Sequence, residues 1–166
     1  MGDGYICKIP TLEEMEIKWD YEIAHSGNGK SNWMVWKGKA MENFQKGDSI
    51  PYYGLLHGKI ICEATAMLHP GLVPNSEGLV GRHMAYLNGF RTMEEYQGKG
   101  YFSKLMQFML HDLQQRGFTE VTLGVEPKQE KNRQIYRNFG FTQYIKSATE
   151  TYPDGTVIAV DYYRKR

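Results

Sequence analysis

The most regular hydrophobic pattern in the chain belongs to Phe102, Leu105, Met106, Met109, Leu110 and Leu113, which recur at i, i+3, i+4, i+7, i+8 and i+11. That spacing predicts a helix over 98–116 with one buried side, stopped by Gly117. Leu12, Met15, Trp19 and Ile23 make an earlier apolar stripe, and Thr11 with Glu14 supplies the capping box that would open its helix. Trp33, Trp36, Ala40 and Phe44 mark another helix, running to about Gln45 before Gly47, and a short one is expected over 132–138, ending near Gly140. Runs rich in β-branched and aromatic residues predict strands over 5–10, 50–57, 59–68, 84–92, 119–125, from 141 onward, and over 157–163. Gly58 turns the second strand into the third, and Tyr152-Pro153-Asp154-Gly155 turns the sixth into the seventh.

The resulting order is β-α-α-β-β-β-α-β-α-β-β. Its central strand-helix-strand-helix passage requires parallel pairing, while the flanking hairpins pair antiparallel. The expected fold class is therefore α/β, a central mixed sheet with helices on both faces. No repeat, low-complexity tract or linker divides residues 1–166, so one domain is expected. The segment 69–82 carries Pro70, Gly71, Pro74, Asn75 and Gly78, and its length suggests a functional role beyond connection.

A chain of 166 residues can bury a core without disulfides. Lys plus Arg number 20 against 19 for Asp plus Glu, so no long-range field gathers nucleic acid or anionic lipid, and any anion must be held by local geometry. Cys7 and Cys62 lie in apolar stretches without a C-x-x-C or Cys/His spacing and are expected as buried, reduced thiols. His25, His57, His69, His83 and His111 are scattered without ligand spacing, so no metal is expected. No basic leader or membrane-length apolar run is present, and a soluble cytoplasmic protein is expected. Met1-Gly2 fits an N-terminal lipidation pattern only until Ile6, which stands where that pattern requires Ser or Thr.

Two segments carry candidate chemistry. Gln97-Gly98-Lys99-Gly100-Tyr101-Phe102-Ser103 joins a strand to the amino end of the longest helix, where unpaired amides and the positive end of the helix dipole suit a phosphate or pyrophosphate. Gly98 and Gly100 let the backbone approach, Ser103 could add a hydroxyl and Lys99 a charge. One strand later, Asn132-Arg133-Gln134-Ile135-Tyr136-Arg137-Asn138-Phe139-Gly140-Phe141 places Asn132 and Tyr136 on one helix face. A third segment, Ala24-His25-Ser26-Gly27-Asn28-Gly29-Lys30-Ser31, satisfies a relaxed phosphate-loop pattern, but a charged amphipathic helix precedes it where a buried strand is required.

The pair Q-x-x-G-x-G/A at a strand-helix turn and N-x-x-x-Y-x-x-x-G-F after the next strand resembles the GNAT superfamily of acetyl-CoA-dependent N-acetyltransferases. The order of elements is similar from end to end. The resemblance implies acetyl-CoA as donor, its pantetheine running between two splayed parallel strands along backbone groups of Phe90 and Thr92. Residues Gln97, Gly98, Lys99, Gly100, Tyr101, Phe102 and Ser103 would cradle the pyrophosphate, Asn132 would touch the pantetheine arm, and Tyr136 would lie close to the sulfur. Phe102 departs from the family's usual Gly or Ala, and the turn stays open only if its ring joins the apolar stripe.

A phenol is protonated at neutral pH and can supply the proton a departing thiolate needs. Tyr136 is read as that acid, or else as a core aromatic, and Asn132 as a cofactor contact or a helix N-cap. An alkylammonium must also lose a proton, and Glu126 and Glu63 are the candidate bases, the latter because a lone carboxylate among Ile60, Ile61, Cys62 and Ala64 invites a raised pKa. Either could instead be an exposed or paired carboxylate. The resemblance further implies an acceptor entering between the first two helices, the 69–82 loop and the last hairpin, where Glu22, Glu77 and Asp154 could attract a cationic amine. Trp19, Trp33 and Trp36 would pack the early helices against the sheet or edge that pocket. The expected function is acetyl transfer to a small-molecule or peptide amine, without nucleic acid or membrane partners and compatible with a homodimer. A non-catalytic acyl-CoA sensor or an interaction domain on the same fold are the alternatives.

Overall fold

Residues 4–166 are described by a computed structural model; Met1 and Gly2, where the lipidation pattern would begin, lie outside the described residues. The elements are β1 (Tyr5–Lys8), α1 (Leu12–Ala24), α2 (Lys30–Lys46), β2 (Ser49–Leu56), β3 (Lys59–Met67), β4 (Met84–Thr92), α3 (Tyr101–Gln115), β5 (Glu120–Val125), α4 (Glu130–Asn138), β6 (Gln143–Thr151) and β7 (Val157–Lys165), the order expected. Seven strands form one mixed sheet in the order β1-β2-β3-β4-β5-β7-β6. β4 and β5 pair in parallel from Met84 opposite Glu120 to Leu87 opposite Leu123, as a helical crossover requires. The pairs β1 with β2, β5 with β7 and β6 with β7 are antiparallel. Helix α3 starts at Tyr101, where the apolar stripe begins, and not at the expected Gly98, because Gly98 and Gly100 take left-handed φ of 73° and 86°, which no helix accommodates.

The chain groups into two compact units, one of residues up to Thr65 with Gly89–Gln115, the other of Ala66–Asn88 with Arg116–Arg166. In the first, Met15 and Trp19 of α1 join Tyr53 and Leu55 of β2 in a buried cluster, against which Trp33, Trp36, Ala40 and Phe44 of α2 pack. Trp33 lies 5.8 Å from Trp19 and 5.5 Å from Trp36 between ring centroids, so the three tryptophans weld the two helices to each other and to the strand. The segment after α1 passes through a single 3-10 turn, Gly27–Gly29, into α2; a helix precedes it and no phosphate loop forms. Leu105, Met106, Met109 and Leu113 of α3 are fully buried, and the Tyr52 hydroxyl donates to Asp112 at 2.6 Å.

In the second unit Val73, Leu79, Tyr86, Val160 and Tyr162 form the core. The 69–82 segment, expected as a functional loop, covers that core. Val73 and Leu79 are buried in it, Lys146 Nζ donates to the carbonyls of Asn75 and Glu77 at 2.7 Å each, and Thr122 Oγ1 donates to the Leu79 carbonyl at 2.6 Å. Its length is needed to reach across to β5 and β6, and its polar backbone groups are satisfied on arrival. The closing hairpin turns where predicted, with Gly155 N–H donating to the Tyr152 carbonyl at 2.9 Å.

Helix α1 has both halves of its capping box, Glu14 N–H to Thr11 Oγ1 at 3.1 Å and Thr11 N–H to Glu14 Oε1 at 2.9 Å. Thr11→Ala should remove about 1 kcal/mol of stability. For a chain of this size that is a fall in Tm of about 2–4 °C, read by thermal unfolding.

Candidate active site

The end of β4 and the start of α3 are joined by a 3-10 turn, Glu94–Tyr96, and an extended Gln97 at φ −71°, ψ 151°. Gln97 folds its side chain back, Nε2 donating to the Thr92 carbonyl at 3.0 Å, so its role is to close the turn. The first bond of the α3 ladder runs from Lys104 N–H to the Gly100 carbonyl at 3.2 Å, which leaves the amides of residues 98–103 outside it. A Cβ added at Gly98 or Gly100 would meet nothing within 4 Å, so both glycines face open space. Lys99 and Ser103 are exposed beside them. Left-handed glycines open to space and the amino end of a long helix behind them fit a pyrophosphate.

Phe102 does not obstruct that concavity. Its ring sets its edge against Phe90 of β4, centroids 5.8 Å apart and planes at 83°, and thus turns into the apolar stripe. The Thr92 hydroxyl lies 3.2 Å from Cys62 Sγ. Burial pushes the Cys62 thiol up to about 11, against the pull of that hydrogen bond, so it stays protonated and unreactive. Cys62 is buried as expected; Cys7 is only half-buried.

Glu63 is not the lone carboxylate its surroundings suggest. Arg91 grips it bidentately, Nε to Oε2 and Nη2 to Oε1 at 3.0 Å each, and the buried Lys18 ammonium lies 3.7 Å from Oε2. Arg91 also stacks on Trp33 and Trp19, 4.6 and 5.3 Å from their ring centroids. Burial alone would lower the Arg91 pKa, but the Glu63 charge overcomes it and the guanidinium is held charged. With both oxygens engaged, Glu63 is the paired carboxylate of the alternative reading and not a lone one. Glu22, expected to face an acceptor, is likewise paired, with Lys18 at 2.7 Å.

In the second unit α4 begins at Glu130, two residues before the expected start, so Asn132 is no N-cap. It lies within the first turn, Nδ2 donating to Gln129 Oε1 at 3.1 Å. Tyr136 follows one turn on, half-buried, and burial pushes its phenol up to about 12. Glu126, just past β5, accepts from Gln129 Nε2 at 3.0 Å and lines a cleft of about 300 Å³ with Lys128 and Ile158. Among the described residues no group of His, Cys, Asp and Glu could hold a metal ion, and no helix is long and apolar enough to cross a membrane.

A family model described as the Acetyltransferase (GNAT) family matches residues 16–141, a span that holds both motifs. The chain belongs to the GNAT acetyltransferase family. No curated protein sequence matches it. Solved structures with the same fold include a ribosomal-protein-alanine N-acetyltransferase from Brucella melitensis, TM-score 0.70 at 15% identity, covering 96% of this chain and 98% of that one. The ribosomal-protein-S18-alanine N-acetyltransferase from Escherichia coli gives 0.66 at 15%, covering 97% and 92%. PaiA N-acetyltransferase from Thermoplasma acidophilum, solved with coenzyme A, gives 0.63 at 14%, covering 98% of each. This GNAT chain is thus an acetyl-CoA-dependent N-acyltransferase, and the turn at the head of α3 fits the donor's pyrophosphate.

The Glu63 pairing generates a stability test. Arg91→Met strands a buried carboxylate beside Lys18 alone and should cost about 3 kcal/mol in denaturant unfolding. Adding Glu63→Gln to that variant removes the stranded charge and should recover most of the loss; a double variant no more stable than the single one would show that packing, not charge, is at stake.

Proposed function

We propose that this GNAT enzyme, acting through residues 1–166 as one domain, transfers the acetyl group to a primary amine by direct attack, with Tyr136 donating to the departing sulfur. When bound, acetyl-CoA supplies an acetyl thioester. Gly98 through Ser103 would hold its pyrophosphate through backbone amides, with Phe90 and Thr92 of β4 and Asn132 of α4 as contacts for the pantetheine arm. The observation that carries the reading is the phenol of Tyr136, in the N-x-x-x-Y position of the family motif and kept protonated by burial.

The size of that shift refines the role. A phenol near 12 is a weaker acid than an alkyl thiol near 8.5, so complete transfer to sulfur is uphill by about 4–5 kcal/mol. What Tyr136 contributes is a hydrogen bond that strengthens as charge grows on sulfur, with the proton passing over only as the amine nitrogen gives up its own. Glu126, half-buried and with one oxygen engaged by Gln129, remains a carboxylate able to take that second proton.

Two of the structural relatives are alanine N-acetyltransferases of ribosomal proteins, which puts protein N-terminal amines at the head of an acceptor panel. Such an amine, near 8, is deprotonated at pH 7 for about 1.4 kcal/mol, against about 4–5 for a lysine-like amine.

Thiol release from acetyl-CoA over a panel of amine classes tests the activity. Tyr136→Phe should lower kcat roughly 100-fold while the acetyl-CoA KM stays within about threefold. The donor function of a group at about 12 is intact at neutral pH and lost only as pH rises through that value. Equal turnover in the variant would remove Tyr136 from the mechanism.

A further inference from the structure

Strand β7 outruns its neighbour on one side. It pairs with β6 along nearly its whole length, from Val157 opposite Thr151 to Arg164 opposite Gln143. On the other side β5 covers it only from Lys165, opposite Val121, back to Asp161, opposite Val125. Past Val125 the chain leaves the sheet for α4, so among the described residues no strand lies beside residues 157–160 on that side. In an antiparallel strand every second residue turns both its N–H and its C=O to the same neighbour. This stretch therefore presents backbone donors and acceptors to the gap where β5 stops.

The gap is open and its walls are held. A cleft of about 300 Å³ lies between Val157, Ile158 and Ala159 of β7 and the segment Glu126, Pro127 and Lys128 that follows β5. Val157 and Ala159 are exposed, and Ile158 packs against the core of the unit, so the β7 wall is apolar. The facing segment is pinned by Gln129 N–H donating to the Glu126 carbonyl at 3.0 Å and Arg133 Nη1 to the Pro127 carbonyl at 3.4 Å. Glu126 follows Val125 directly and so stands at the inner end of the gap. Its carboxylate accepts from Gln129 Nε2 through Oε2 and has Oε1 to offer.

We propose that this gap takes the N-terminal segment of an acceptor polypeptide, added to β7 as an antiparallel strand that prolongs β5, with its α-amine at Glu126. This docking rests on the acetyl-transfer reading, in which Glu126 takes the proton of the amine. The direction follows from the ends. An α-amine at Glu126 is level with the last residue of β5, so the peptide runs from there with β5 and against β7, its first residue beside Val160 and its fourth beside Val157. Four residues of strand span about 13 Å. Backbone pairing with β7 would supply affinity without reading sequence, and alternate side chains would meet the apolar wall. A lysine side chain leaves a strand perpendicular to the sheet, which carries its nitrogen off to one face; only an α-amine ends in line with the backbone. A small alkylamine would use none of the backbone positions.

The test is thiol release from acetyl-CoA with nested peptide amides of alternating alanine and threonine, from one to six residues long. The peptide KM should fall roughly tenfold between the one-residue and four-residue amides and level off beyond, while kcat changes less than about threefold. Methylating single backbone nitrogens of the four-residue amide should raise KM roughly tenfold at alternate positions only, the period of a strand. Ala159→Trp, which fills the cleft from an exposed position, should raise the KM of that amide by a similar factor, with acetyl-CoA KM and far-UV circular dichroism unchanged. The peptide series uses wild-type protein and decides the matter even where that variant fails to fold. A KM independent of length, methylation effects at successive positions or at none, or an N-terminally blocked peptide with an internal lysine turned over better than the free amides overturns the docking while leaving acetyl transfer in place. Wild-type protein that binds acetyl-CoA but releases thiol with no amine overturns the transfer reading and the docking with it.

Discussion

A helix cannot bond its own first amides, and in this chain two left-handed glycines with open space beside them lead into the head of α3. The surrounding sequence follows from that constraint. Gln97 must close back on Thr92 so that β4 ends where the turn begins, and Phe102 must commit its ring to Phe90, because any ring on the other side would fill the space the amides face. Since acidic and basic residues nearly balance over the chain, 19 against 20, long-range attraction contributes little, and in the proposed function it is these backbone donors that would hold the donor's phosphates.

The ionisable groups divide by what surrounds them. Glu63, Arg91 and Lys18 are buried or half-buried together, and each one's cost is offset by the others; such a network fixes α1 against β3 and β4. Tyr136 owes its shift to burial, which keeps its proton in place without spending it on a buried counter-charge. Glu150 is intermediate, bonded to the Tyr162 hydroxyl and half-buried at the sheet edge.

Element order, the glycine turn and the Asn132–Tyr136 face were legible because each is a local pattern whose period or spacing acts within a few residues. Partners across the sheet were not. Glu63 reads as alone because Arg91, 28 residues away, reaches it only through strand pairing, and the 69–82 loop reads as free because Lys146 and Thr122 lie far along the chain. Asn132 reads as a cap because helix starts shift by a residue or two without any change in hydrophobic pattern. Glu150 carries no local signal at all. It sits in an edge strand, where it pairs with Ile158, and the Tyr162 hydroxyl reaches it from farther along β7.

That contrast bears on how the two protons of acetyl transfer are handled. A phenol near 12 cannot lose its proton to a thiolate unless another proton leaves the amine nitrogen, whose N–H becomes far more acidic once nitrogen bonds to carbon. Donation to sulfur and removal from nitrogen are therefore coupled, and a single strongly basic residue is not required. A weak acid at sulfur and a weak base at nitrogen suffice if both are positioned for the moment at which charge develops. A buried tyrosine suits the task at sulfur, because burial holds it neutral until charge develops.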